Sequence, residues 1–294
     1  MTSDIRLDYD QLPPVVPAYV RAAVTLSGGL SDGETIPNIV ARLPRMEVRA
    51  EALARYRRVC GFDHTEHLPV TYPHVLAFPM HMAVMTHRRF PLKLLGLIHV
   101  RNVINQYRAI HAEETLQLEV AVGGHRDVDK GIEFDLVTRV RDTAGAIIWD
   151  ETGTMLSRRK TKRSSEGSSS RKAAETLGFE PSTERDWQVP ENIGRRYAGA
   201  AGDYNPIHLN PITAKVFGFP RHIATGMWLK AHAAAELAPE LSGDAYRLSV
   251  AFRKPVFLPS RPRLLYAHAD SGLDFALVDQ TGDVQHLLGS VSHL

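Results

Sequence analysis

Asp203 and His208 are the pair whose residue types and spacing offer acid–base chemistry most directly. They belong to the stretch Tyr197-Ala-Gly-Ala-Ala-Gly-Asp203-Tyr-Asn205-Pro206-Ile-His208-Leu-Asn-Pro211. Five residues apart, they would stand about 140° apart around a helix, on different faces. Pro206 forbids a regular helix between them in any case, and Asn205-Pro206 is a turn signal. A bend there lets the carboxylate and the imidazole converge on one bound water, a minimal device for moving protons. Alone, such a pair is most often a capping aspartate and an exposed loop histidine. The segment Ile223-Ala224-Thr225-Gly226-Met227-Trp228 changes the balance. Thr225 is a good N-cap placed directly before an apolar run that predicts a buried helix from Gly226 to about Leu237. The free N–H groups of a helix's first turn are donors with positive dipole character, and a glycine there admits a ligand close to the backbone. An acid–base pair followed by such an oxyanion donor is what proton transfer next to a carbonyl requires.

Gly202-Asp203-x-Asn205-Pro206-x-His208, then Ala214, Gly218-Phe219 and Ile223-Ala224-x-Gly226-Met227, resemble the hydratase motif of the MaoC-like, R-specific enoyl-CoA hydratases. These are hot-dog-fold proteins, and their double hot-dog members include bacterial 3-hydroxyacyl-thioester dehydratases. The specific part of the likeness runs from Tyr197 to Trp228, and a repeated order of elements extends it over roughly residues 60–294. The resemblance implies a lyase for the reversible syn hydration of trans-2-enoyl thioesters to (R)-3-hydroxyacyl thioesters. CoA or an acyl carrier protein would carry the acyl group, of medium to long chain, with no metal or other cofactor. Asp203 and His208 would hold and activate the water, Gly226 would give its backbone N–H to the thioester oxygen, and Asn205 would orient the loop. Two positions depart from the family's pattern: Ala201 stands where serine is usual, and Thr225 where histidine is usual. Neither carries the expected proton transfer.

The elements that must position these residues are legible in outline. Each half of the 294-residue chain shows an apolar helical stretch followed by alternating strands. In the first half the helix candidate is Pro79 to His87, with strands at Leu116–Val122 and Ile132–Leu136. In the second, the helix from Gly226 precedes strands at Tyr246–Phe252 and Leu273–Leu277. Asp142-Thr-Ala-Gly145 and Asp279-Gln-Thr-Gly282 are turn signals before each final strand. A helix apolar on most sides followed by an antiparallel meander makes an α+β class, duplicated here. With the family resemblance this reads as a double hot-dog, two antiparallel sheets each wrapped around a central helix and joined into one. Residues 1–157 form the degenerate first unit, with residues 1–50 fitting the repeat poorly, and 173–294 the catalytic unit. Laying one half over the other sets Ala77-Phe78-Pro79-Met80 against Ala224-Thr225-Gly226-Met227. Proline has no N–H to donate, so one active site per chain is expected.

Between the halves, residues 158–172 hold seven basic side chains and one acid around a serine-rich run, which reads as a solvated tether. The remainder is net acidic, so the pI near 8.7 describes a linker. Basic residues are not spread over a face with aromatics among them, which excludes nucleic acid as a partner. With 44% hydrophobic and 23% charged residues, disordered and fibrous classes are excluded. No run approaches the ~18 apolar residues of a membrane span. The lone Cys60 and an N-terminus without an apolar core fit a cytoplasmic protein. His64 and His67 have metal-like spacing but no completing ligands, and His74, His81, His87, His99 and His232 read as core-edge or surface residues. No phosphate loop and no Gly-x-Ser-x-Gly is present. Two rivals stand beside the hydratase: a hot-dog thioesterase, and a non-catalytic acyl-thioester or carrier-protein binding partner. Two hot-dog units in one chain can pair internally, which leaves a homodimer of whole chains as a further expectation.

Overall fold

Alternating apolar residues need a partner layer, and two helices that are apolar all round supply it. In the computed structural model, which describes residues 4–25, 28–30, 33–158 and 177–294, the first half contains β1 (Ile5–Asp8), α1 (Val15–Val24), β2 (Ile39–Met46), α2 (Ala50–Cys60), α3 (Tyr72–Met85), β3 (Ile98–Gln106), β4 (Leu116–Val128), β5 (Gly131–Arg141) and β6 (Ile147–Arg158). The second contains β7 (Thr183–Asp186), α4 (Ile193–Ala201), α5 (Pro206–Leu209), α6 (Pro211–Val216), α7 (Gly226–Leu237), β8 (Tyr246–Phe252), β9 (Arg263–Ala269), β10 (Gly272–Val278) and β11 (Gln285–His293). Most of the basic tether lies outside the described residues.

All the strands join one sheet in the order β1-β2-β4-β5-β6-β3-β8-β11-β10-β9-β7. Within each half the first strand (β2 or β7) pairs with the first of the final meander (β4 or β9). The second strand (β3 or β8) pairs with the last of the meander (β6 or β11). The halves meet where β3 and β8 run antiparallel, with Asn102 opposite Val250 and Ile104 opposite Leu248. This is the α+β double hot-dog expected from the sequence. Among the described strands, only β1, parallel to β2, breaks the antiparallel pattern.

α3 and α7 are the two central helices. α3 buries Leu76, Ala77, Met80 and Val84, and α7 buries Met227, Trp228, Leu229, Ala233 and Leu237. Packing rather than propensity holds them, since short helices are marginal alone. The structure corrects one boundary: α3 begins at Tyr72, and Pro79 lies inside it. A proline there costs one internal hydrogen bond, which burial on all sides outweighs. The strands read from sequence fall within β4, β5, β8 and β10. Cys60 is a fully buried thiol. Among the described residues no helix is long and apolar enough to cross a membrane.

Candidate functional site

α4 ends at Gly202, whose φ of +78° and N–H bond to Ala198 O (2.9 Å) close the helix in the left-handed conformation that glycine adopts freely. The chain turns there, and Asp203 is the first residue past the turn. Asn205 caps α5, its Oδ1 accepting from Ile207 N–H at 3.4 Å. The Asn205 N–H donates to Asp203 Oδ1 at 3.2 Å, and its carbonyl accepts from His208 N–H at 3.0 Å. Asn205 therefore touches both members of the pair.

His208 is 7% exposed, and its Nδ1 lies 2.9 Å from Ile223 O. A carbonyl only accepts, so Nδ1 carries the proton, and in the neutral ring Nε2 is the free lone pair. The Ile223 N–H in turn donates to Ile207 O at 3.1 Å. These two bonds stitch the loop of the pair to the segment entering α7, three residues before Gly226.

The opening helical bond of α7 runs from Leu229 N–H to Thr225 O at 3.1 Å. The N–H groups of Gly226, Met227 and Trp228 thus have no carbonyl partner within the helix. Thr225 has the extended backbone of a cap, but its hydroxyl forms no capping bond. It is enclosed in the packed interior without a partner among the described residues, which corrects the expected side-chain cap. The first-turn donors stay available as a result. A Cβ on Gly226 would sit 3.0–3.4 Å from the Phe252 ring, so the absence of a side chain lets that ring close over the helix end.

Three features of the site escaped the sequence. Tyr19, on α1, donates its hydroxyl proton to Asp203 Oδ1 at 3.3 Å and accepts the Tyr204 N–H at 2.7 Å. Burial and the Asp203 charge both push the Tyr19 phenol well above its ordinary pKa, so it stays a donor. Gly194 is the second: a Cβ there would lie 1.9 Å from the His208 carbonyl oxygen. The bare backbone of α4 is what allows His208 its place.

The third is a buried polar network. His74 and His81 are 9% and 4% exposed, in the core rather than at its edge. His74 Nδ1 lies 2.9 Å from the Glu151 carboxylate, which also accepts from Asn102 Nδ2 at 2.6 Å. His81 Nε2 meets Thr138 Oγ1 at 2.7 Å. Burial raises the Glu151 pKa, but the His74 charge and hydrogen bond outweigh it and hold it well below the carboxylate range. Burial pushes His81 down to about 3. The donor atoms of His74, His81 and Glu151 fall within 4.8 Å of one another. His74 and Glu151 bond each other, and His81 bonds Thr138. The signal available in the sequence was Lys230, a cation among the alanines and leucines of α7, whose ammonium bonds Asn102.

Among the described residues, the first half has neither the acid nor the free donor at the matching places. α2 ends at Gly61 (φ +85°) as α4 ends at Gly202, and Phe62 then stands where Asp203 does. Thr71-Tyr72 matches Thr225-Gly226 at the start of the central helix, so the alignment through Pro79 is corrected. The Tyr72 N–H is spent on Pro69 O at 2.8 Å. The donor is missing because it is used, not because proline removes it.

Residues 172–288 match the family model described as MaoC like domain. Over 275 residues, 94% of this chain and 96% of the relative, the sequence is 34% identical to 3-hydroxyacyl-thioester dehydratase X of Mycobacterium tuberculosis. A crystal structure of HtdX from Mycobacterium tuberculosis superposes with a TM-score of 0.74 at 34% identity, covering 86% of this chain and 99% of that one. A MaoC-like dehydratase from Phytophthora capsici shares the fold, with a TM-score of 0.70 at 17% identity over 88% and 95% of the two chains. With likeness at this level over nearly its whole length, the chain belongs to the family of MaoC-like dehydratases.

Proposed function

We propose that this protein hydrates trans-2-enoyl thioesters to (R)-3-hydroxyacyl thioesters, reversibly, at one site per chain formed by Asp203, His208 and the N-terminus of α7. The observation that carries the reading is the bond of His208 Nδ1 to Ile223 O, which leaves Nε2 to serve as the base. In hydration, Nε2 takes a proton from a water held by Asp203 as the water oxygen adds to the β-carbon. Both protein hydrogen bonds to Asp203 fall on Oδ1, which leaves Oδ2 for that water. Negative charge gathers on the thioester oxygen, where the Gly226 N–H receives it. The imidazolium then delivers its proton to the α-carbon, and one H₂O has been added. Because the same ring takes and returns the proton, both new bonds form on one face. Dehydration runs through the same steps reversed.

The acyl carrier is CoA or an acyl carrier protein. The first half, lacking acid and free donor, serves to complete the sheet and to leave room for medium to long acyl chains. The residue boundaries 1–157, 158–172 and 173–294 belong to this reading.

Incubation with octenoyl-CoA tests it. Loss of enoyl-thioester absorbance with recovery of (R)-3-hydroxyoctanoyl-CoA supports it, whereas release of free CoA means a thioesterase. No change with short, medium or long acyl groups on either carrier leaves only a binding role. Tyr19→Phe removes one hydrogen bond from Asp203. We expect kcat to fall about two- to twelvefold, the factor that ~0.5–1.5 kcal/mol represents, with little change in KM. Steady-state kinetics on octenoyl-CoA checks this.

A further inference from the structure

Lys230 lies on α7 four residues after Gly226, on the same face, and is fully buried. Side chains on a helix lean toward its N-terminus, so the lysine stem lies along the first turn of α7. Its ammonium donates to Asn102 O at 3.2 Å, to Leu248 O at 3.0 Å and to Asn102 Oδ1. Three acceptors match the three protons of an ammonium and exceed the two of a neutral amine. Burial pushes Lys230 down to about 7, and Glu151 opposes that fall. Asn102 belongs to β3 and Leu248 to β8, the two strands of the seam. One side chain thus ties the catalytic helix to both halves at once. Behind Asn102 stand Glu151 of β6, His74 and His81 of α3 and His99 of β3, the last with its ring 5.1 Å from that of Phe252.

We propose that Lys230 is a positioning residue for the oxyanion site, its ammonium holding the first turn of α7 against the β3–β8 seam so that the Gly226 N–H meets the thioester oxygen. A structural lysine would find an apolar replacement of equal length cheaper to bury. Retaining a charge among three backbone and amide oxygens fixes the helix in rotation and along its axis, which apolar packing does only loosely. The inference rests on the hydratase reading for its substrate, not for its geometry.

Lys230→Met keeps the length and removes the charge. Lys230→Met leaves Glu151 its His74 partner, and Lys230→Met combined with Glu151→Gln also removes the carboxylate behind Asn102. Wild type and both variants, checked for folding by circular dichroism, are given octanoyl-CoA labelled with carbon-13 at its carbonyl. The infrared stretch of that carbonyl reports hydrogen bonding at the oxyanion site. Turnover is measured on octenoyl-CoA. We expect the wild-type band to lie below that of free octanoyl-CoA and to return toward it in the folded variants. We also expect kcat to fall about tenfold or more while KM changes by less than about threefold. Folded variants with the wild-type band and wild-type kcat overturn the proposal. So does an unshifted carbonyl in the wild type, since no oxyanion site would then exist to be positioned. A shifted carbonyl with no hydration by the wild type refutes the reaction instead, and the carbonyl comparison still decides the role of Lys230.

Discussion

His208→Ala and Asp203→Ala each lower kcat on octenoyl-CoA by about 10²–10⁴-fold, the worth of a positioned acid or base. The two act on one water, so their losses do not add. The double variant falls about as far as the worse single one, the pattern of residues that act as a unit. Asp203 is half-buried on the turn after α4, and His208 is buried on the short α5 but outside the hydrophobic cluster, so the folded state survives either change. His208→Ala also frees the Ile223 carbonyl. It should therefore disturb the entry to α7 and lower the melting temperature somewhat more than Asp203→Ala. Steady-state kinetics and thermal melts of the three variants check these statements. Additive losses in the double variant would mean that the two residues serve separate steps.

Gly194→Ala has the second largest expected effect, although Gly194 carries no functional group. A methyl there would stand 1.9 Å from His208 O and 3.3 Å from its Cβ. Carbon and oxygen cannot approach so closely, so either α4 tilts or α5 is pushed outward, by about 1 Å or more. A displacement of that size at a reacting group costs on the order of 10² in rate. The signature is a fall in kcat at nearly constant circular dichroism, since α4 itself gains from alanine over glycine. Wild-type kcat in Gly194→Ala would show that α5 yields without moving the His208 ring.

The pair, the turn between its members and the glycine at the helix start were legible because each is local: Asn205-Pro206 sets a bend, and Thr225-Gly226 precedes an apolar run. The strands with strict alternation were legible for the same reason. Helix α3 was misplaced because a proline is a start signal in most contexts, and only burial on every side overrides it. Tyr19 and Gly194 were out of reach. Tyr19 meets Asp203 across 184 positions of sequence, and the need for glycine at 194 arises from a neighbour that only the folded chain supplies. His74 and His81 looked peripheral because the partners that make their burial tolerable, Glu151 on β6 and Thr138 on β5, lie far off in sequence. A lysine amid alanines and leucines in α7 was the visible clue to that network.

The stereochemistry of hydration in D₂O tests the central claim most directly. If one imidazole takes the proton from the attacking water and returns it to the substrate, deuterium enters the α-carbon on the face that receives the β-hydroxyl. Nuclear magnetic resonance of the 3-hydroxyoctanoyl product from wild-type protein and octenoyl-CoA reads this. The account predicts syn addition with the R configuration at the β-carbon. Deuterium on the opposite face would contradict a single Asp203–His208 water and require a second proton donor across the substrate, and an S-hydroxyl product would contradict the substrate face assigned to that water.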